Sequence, residues 1–162
     1  MNSKKGQAVL RERIDSRATF NVFLTVTLRQ ALINDGLGFT WISEDDCRKA
    51  AWLLRDRLTK KVNKSAGLAR STRLPFAVFI EGYGRFERFH FHALSVKPDN
   101  VSFAQYQCLI MDVCGKLDWV YRKVKVQPID FSDSDAVPVI TYCLKKEGIE
   151  GRWSFCPEAS FL

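Results

Sequence analysis

The chain has 162 residues, a net charge of +7 at neutral pH, 46% hydrophobic residues and 27% charged residues. This length and composition are typical of one soluble domain with a proper core, so we predict a single domain over residues 1–162. The positive charge favours an anionic partner, with nucleic acid ahead of an anionic membrane surface. The sequence has neither an apolar run of membrane-spanning length nor a signal-peptide core behind its N-terminus, so we expect no membrane association and a cytoplasmic location.

The five cysteines form no Cys-x-x-Cys pair, and their number is odd. Zinc-ribbon sites and disulfide frameworks both require paired cysteines. The pattern therefore argues against both and suits a reducing compartment.

The first half of the chain predicts an arm, a strand and a helix. Residues 1–18 are polar and charged and predict a flexible arm, whereas residues 20–28 are rich in β-branched and aromatic residues and predict a buried strand. Residues 33–41 contain Asn, Asp and Gly and predict a loop. Ser43 is a helix N-cap followed by three acids, and the apolar spacing after it predicts a helix that ends before Gly67.

The middle of the chain predicts a β-hairpin. Residues 76–81 and 89–96 read as its strands, and Gly82 and Gly84 supply the turn. This pairing places Glu81 opposite His90.

The remaining elements complete the pattern. A helix begins at Ser102, with Gln105 as its capping-box partner, and ends at Gly115. Residues 119–129 alternate as a strand does, and a third helix is predicted from Ser134 or Asp135 to Gly148. The order β-α-β-β-α-β predicts an α+β fold, namely a ferredoxin-like or RRM-like antiparallel sheet with helices on one face. The other face is then free to hold a site.

The chain contains two histidines, His90 and His92, which stand two residues apart. On a strand both imidazoles leave the same face, because successive side chains alternate. Together with Glu81 they form a set of two nitrogens and one oxygen that suits Mg²⁺, Mn²⁺ or Zn²⁺. The alternative is a pair of structural histidines on a half-exposed strand, and Glu81 and Tyr142 favour the metal site over it.

Tyr142 is the candidate nucleophile. A phenol is a weak nucleophile at neutral pH, because it ionises only near pH 10, so it needs help from a metal or a neighbouring charge. Lys145 and Lys146 follow at helical spacing on the same face and can favour the phenolate. The alternative is a core tyrosine on an amphipathic helix.

A basic run occupies the stretch from Arg57 to Ile80, which contains no acidic residue. We expect residues 64–73, which are rich in Ser, Gly and Thr, to form a mobile loop. The run predicts either a solvated helix end or contacts with phosphates. Its basic residues are Arg57, Lys60, Lys61, Lys64, Arg70 and Arg73.

Several of these motifs together resemble those of a known enzyme family. Residues 89–92 (Phe-His-Phe-His), the upstream Glu81 and residues 142–145 (Tyr-Cys-Leu-Lys) look like the motifs of HUH endonucleases, in particular single-tyrosine rolling-circle replication initiators of plasmids, phages and small circular DNA viruses. Residues 23–28 are similar to the first motif of that family. A second lysine follows in the tyrosine motif, which leaves Lys145 and Lys146 as alternatives, with Lys145 favoured.

The resemblance, which covers residues 20–148, implies a mechanism. Single-stranded or hairpin origin DNA would lie across the open sheet face, with Mg²⁺ or Mn²⁺ on Glu81, His90 and His92. Tyr142 would attack the scissile phosphate, giving a 5′-phosphotyrosyl link and a free 3′-OH for a host polymerase. A host helicase is expected, because the sequence contains no Walker A motif. The expected DNA-backbone contacts are the basic run together with Arg122, Lys123 and Lys125.

Three other functions remain as alternatives. A related HUH transposase or relaxase would use the same chemistry on different DNA ends. A cupin-type metal site is disfavoured, because positions 96 and 97, where it would place a Glu, hold Val96 and Lys97. A non-catalytic basic nucleic-acid-binding module on the same fold is the non-enzymatic alternative.

Overall fold

The computed structural model describes residues 12, 20–34, 38–82, 88–129, 142–143 and 155–161. Apart from Glu12, the predicted N-terminal arm lies outside these residues. The predicted third helix also lies outside them, except for Tyr142 and Cys143, which are helical. Lys145 and Lys146 belong to the undescribed part of that segment.

The described residues form six strands and two helices of at least two turns. The strands are β1 (Val22–Leu28), β2 (Ala31–Asn34), β3 (Gly38–Trp41), β4 (Phe76–Glu81), β5 (His90–Ser95) and β6 (Val120–Pro128). The helices are α1 (Glu44–Ala66) and α2 (Phe103–Cys114). The predicted order β-α-β-β-α-β is confirmed, with β2 and β3 added between the first strand and the first helix.

The main sheet has four antiparallel strands in the order β4-β5-β1-β6. The first strand of the β-α-β-β-α-β pattern thus lies in the middle, which is the ferredoxin-like arrangement predicted from the sequence. The C-terminal segment adds two antiparallel bridges to the outer edge of β4, Phe76 to Phe161 and Phe79 to Phe155. These bridges cover part of an edge that would otherwise expose unpaired backbone groups.

Both helices begin and end where the sequence predicts. Ser43 accepts a hydrogen bond from the backbone of Asp46, whose side chain bonds back to Ser43, and α1 ends at Gly67 in the left-handed conformation (φ 66°). Ser102 and Gln105 form the corresponding capping box of α2. Caps satisfy backbone groups that the helix itself leaves unpaired, which is why local sequence fixes these boundaries.

The main core lies between the helices and one face of the sheet. Alternate residues of β1, from Val22 to Leu28, are fully buried and pack with the apolar stripes of both helices. The opposite face carries a smaller cluster, which we call the second cluster: Phe20, Ala77, Phe79, Leu94 and Cys143. The helices therefore cover one face, as predicted, and the other face carries Glu81, His90 and His92.

One loop prediction was wrong in its described residues, and a second was wrong only in where the loop starts. Residues 33–41 were predicted to be a loop, but β2 and β3 pair there as an antiparallel hairpin, with Ile33 opposite Phe39. Residues 35–37 of the predicted loop lie outside the described residues, and the apolar residues on either side belong to the two strands. The loop expected from residue 64 starts only at Gly67, where buried Asn63 donates hydrogen bonds to the carbonyls of Ala69 and Thr72.

Candidate functional site

Strand register brings the three predicted ligands together. β4 and β5 pair so that Glu81 faces His90 and Phe79 faces His92, as the predicted hairpin required. His90 Nε2 lies 3.6 Å from one carboxylate oxygen of Glu81, and His92 Nε2 lies 3.9 Å from the other. We call these three residues the triad.

The ring orientation of each histidine is fixed through its Nδ1 atom. His92 Nδ1 lies 3.1 Å from the hydroxyl of Thr25, its partner on β1, and His90 Nδ1 lies 2.9 Å from the carbonyl of Arg88. A carbonyl only accepts, so His90 Nδ1 is the donor in this contact, and the neutral form of the ring then presents a lone pair at Nε2. Partners of this kind orient histidines that bind metals.

The spacing of the donor atoms fits one divalent cation. One candidate ligand atom from each triad residue can be chosen so that all three lie within 4.8 Å of one another. Two donors that share an ion at about 2.1 Å each lie roughly 3.0–4.2 Å apart, depending on the angle between them. Each imidazole nitrogen lies within that interval of a different Glu81 oxygen, so the triad is a group that could bind a metal ion.

Access to the triad is one-sided. The side chains of Glu81 and His92 are almost completely buried, whereas that of His90 is 26% exposed. A carboxylate held away from water favours a cation partner. A substrate can therefore approach from the His90 side.

Tyr142 lies against the triad. Its ring centroid is 5.2 Å from that of His92, in an edge-on arrangement, and 6.5 Å from that of Phe23. Phe23 in turn stacks on His92 at 5.3 Å. Tyr142 as a residue remains 44% exposed, so a partly exposed tyrosine lies beside a buried histidine.

Burial of the neighbouring Cys143 holds this tyrosine in place. Cys143 is fully buried in the second cluster, among Phe20, Ala77, Phe79 and Leu94. Neighbouring residues of a helix point in different directions, so burying Cys143 against the sheet leaves Tyr142 at its margin, over His92.

Two other described tyrosines differ from Tyr142 in position. Tyr106 is buried in the core with the helices and donates a hydrogen bond to Ser95, and burial raises its pKa to about 12. It therefore stays protonated and inaccessible at neutral pH. Tyr121 is exposed, at 47%, on β6.

Lys125 continues the row of side chains that crosses the site. It pairs with Thr25, which pairs with His92. Val124 and Val126 pack toward the main core, so Lys123 and Lys125 point to the triad face, where both are exposed. The side chain of Arg122 lies outside the described part of the chain.

The structure does not bring the basic run to the triad. Arg57, Lys60, Lys61 and Lys64 belong to α1, which packs on the opposite face of the sheet. Lys60 and Lys61 form ion pairs with Asp56 and Asp112. Arg70 and Arg73 are exposed and precede β4, at the end of that strand away from Glu81. Any nucleic-acid contact of this run would involve a different surface from the one that carries the triad.

Sequence reasoning assigned no role to Thr25, Phe23 or Cys143. Thr25 and Phe23 alternate with the buried valines and leucines of β1, so their placement on the open face was predictable once β1 was put next to β5. Cys143 is a small apolar residue whose packing depends on tertiary contacts. No local signal marks it.

Comparisons with protein-family models, curated proteins and solved structures each found no match. None of the five cysteines, all of which lie within the described residues, forms a disulfide. Within the described ranges, neither helix combines the length and the apolar character of a membrane span.

Proposed function

We propose that this chain is a metal-dependent endonuclease and strand transferase that nicks and rejoins single-stranded DNA through a covalent phosphotyrosine. The observation that carries the proposal is the ring contact between the partly exposed Tyr142 and His92, one of three residues that could hold a metal ion. The motif order that resembles HUH replication initiators supports the same reading. We further propose that the reaction starts rolling-circle replication of a plasmid or phage in the cytoplasm.

The triad is the part of the site that binds the cofactor. Glu81, His90 and His92 would hold Mg²⁺ or Mn²⁺, and the chemistry such an ion would supply is Lewis-acid polarisation of a phosphoryl oxygen. The Thr25 hydroxyl and the Arg88 carbonyl hold the two imidazole rings so that their Nε2 atoms face Glu81.

Tyr142 supplies the nucleophile. Its phenolic oxygen, after losing its proton, bonds to the scissile phosphorus, and the bond from phosphorus to the 3′ oxygen breaks. The departing 3′ oxygen takes up a proton, which leaves a 3′-OH and a 5′-phosphotyrosyl strand. Because one phosphoester replaces another, a later 3′-OH can reverse the attack and join the ends.

Cationic side chains support this step. Lys125 and Lys123 lie on the same sheet face and are suited to bind the phosphates of a strand crossing it. Lys145, three residues after Tyr142, is expected to favour the ionised phenol.

The test uses Tyr142→Phe, with Tyr121→Phe as the matched control, because the two tyrosines are similarly exposed. Each protein is incubated with Mn²⁺ and a panel of labelled single-stranded oligonucleotides. We expect Tyr142→Phe to bind like wild type but to lose cleavage and the denaturation-resistant adduct. Tyr121→Phe should retain both.

A chelator arm tests the metal separately. Excess EDTA should stop cleavage by the wild type and leave binding in place. Cleavage that survives in Tyr142→Phe or in EDTA would contradict the proposal. Binding with no cleavage on any strand would favour the non-catalytic alternative.

A further inference from the structure

We infer that the β2–β3 hairpin is a stacking platform for unpaired DNA bases beside the scissile phosphate. This inference rests on the proposed function and extends it to a binding surface. Its members are Ile33, Phe39 and Trp41, which we call the hairpin stripe.

The hairpin stripe is unusually exposed for its composition. Ile33 is 80% exposed, Phe39 66% and Trp41 73%. Ile33 pairs directly with Phe39, and Trp41 pairs with Ala31, so all four side chains share one face of the ribbon. Large side chains concentrated on one solvent-facing surface are typical of a binding site.

The stripe is tied to the triad end of the main sheet. β2 begins three residues after Leu28, close to the point where Thr27 pairs with His90. Gln30 fixes this junction through three hydrogen bonds: its backbone carbonyl accepts from Ile42, its amide donates to Leu28 O, and its side-chain oxygen accepts from the backbone of Phe89. The hairpin therefore starts beside the residue that precedes His90.

Charge around the hairpin base suits a polyanion. Arg29 opens the link from β1 to β2, and Arg88 precedes Phe89, whose carbonyl accepts from Leu28. Both arginines are exposed. Two of the acids that follow at the start of α1 are already engaged, Asp46 in the Ser43 cap and Glu44 with Arg48.

This combination favours a single strand over other occupants. Proteins that bind single strands pair a basic track with aromatic side chains on which successive bases stack. A second copy of the chain would bring like charges, Arg29 and Arg88, to the same interface. A duplex would offer stacked and enclosed bases that the aromatic side chains cannot reach.

The experiment compares Trp41→Ala with Trp52→Ala, since Trp52 is a 43% exposed tryptophan on α1, in the other layer. Binding is measured by anisotropy in EDTA with labelled oligo(dT) and with an abasic strand of the same length. Stacking is worth roughly 1–3 kcal/mol per base, or about 5- to 150-fold in affinity. We expect a loss of that size for Trp41→Ala on oligo(dT), none on the abasic strand, and recovery in Trp41→Phe.

Equal affinities of Trp41→Ala and Trp52→Ala for oligo(dT) would overturn the inference. It would also be overturned if Trp41→Ala changed the mass in light scattering without changing the affinity for the strand, since the stripe would then bind a second copy. The proposed function is tested independently, because these measurements are made without metal. If the covalent adduct forms normally but binding does not depend on Trp41, only the stacking platform is contradicted. If binding depends on Trp41 but no adduct forms, only the proposed enzyme activity is contradicted.

Discussion

Thr25 orients the imidazole ring of His92. Its hydroxyl lies 3.1 Å from Nδ1, which leaves Nε2 directed at Glu81. Hydrogen bonds to the second nitrogen of a ligand histidine fix the ring and its tautomer. Thr25, which is not itself a candidate ligand, therefore orients one of the three candidate ligands.

Replacing this hydroxyl should weaken metal binding. We expect Thr25→Val to lower Mn²⁺ affinity about 10- to 100-fold, the typical cost of removing such a partner, while keeping the shape of a β-branched strand residue. Thr27→Val is the control, because Thr27 lies on the same strand face opposite His90. Isothermal titration with Mn²⁺ measures both, and equal affinities would contradict the role given to Thr25.

At this scale the sequence predicts residues whose chemistry is distinctive. Glu81, His90, His92 and Tyr142 stand out because each can bind a metal or attack a phosphate. Thr25 and Cys143 do not stand out, because their roles come from what they touch across the fold. A threonine on a strand and a buried cysteine occur in many proteins without any such role.

At the scale of the structural elements, close packing at Gly82 links the end of β4 to Arg88, the residue that orients His90. Gly82 follows Glu81 with φ 99°, and a Cβ atom there would lie 2.3 Å from the carbonyl oxygen of Arg88. That carbonyl is the partner of His90 Nδ1. Position 82 thus needs a glycine, both because its φ is positive and because the Arg88 carbonyl lies too close for a Cβ atom.

Gly82→Ala should therefore destabilise the protein and disturb the triad. We expect the free energy of unfolding to fall by about 2–5 kcal/mol, since a strained backbone and a steric clash add together. Gly38→Ala is the control: Gly38 has φ 88° with nothing within 4 Å of the added atom, so it should lose roughly 1–2 kcal/mol. Urea unfolding measures the free energy of unfolding of both variants. Equal losses would show that the clash with the Arg88 carbonyl does not contribute.

Elements with local signals were predicted well. The two capping boxes and the glycine beyond α1 fix helix boundaries through contacts within a few residues. The β2–β3 hairpin was missed because its exposed apolar residues do not alternate with a buried face. Its strands are defined by pairing with each other and not by packing on the core.

For the whole molecule, metal binding should be linked to stability. A ligand that binds the folded state at 100 times its Kd adds about 2.7 kcal/mol. For a chain of this size that raises Tm by roughly 5–11 °C. Glu81→Gln, which keeps the volume but removes the charge, should lose the Mn²⁺-dependent rise, whereas the surface variant Glu44→Gln should keep it. Thermal scans with and without Mn²⁺ measure this rise in Tm. If Tm rises as much in Glu81→Gln as in the wild type, Glu81 is not a metal ligand.

The two-layer arrangement also limits what charge alone can predict. The net charge of +7 and the basic run both indicate an anionic partner, but α1 carries much of that run on the face away from the triad. The order of strands in the sheet, not the order of residues in the chain, decides which cations face the site. Lys125 reaches the triad face because β6 pairs with β1.

The most direct measurement is mass spectrometry of the protein after reaction with Mn²⁺ and a cleavable single strand. We expect one peptide, containing Tyr142, whose mass is increased by a 5′-linked nucleotide phosphate after nuclease trimming. The modification should be absent from His92→Ala and from samples with EDTA. A modification on another residue, or strand cleavage without any protein-linked nucleotide, would contradict it.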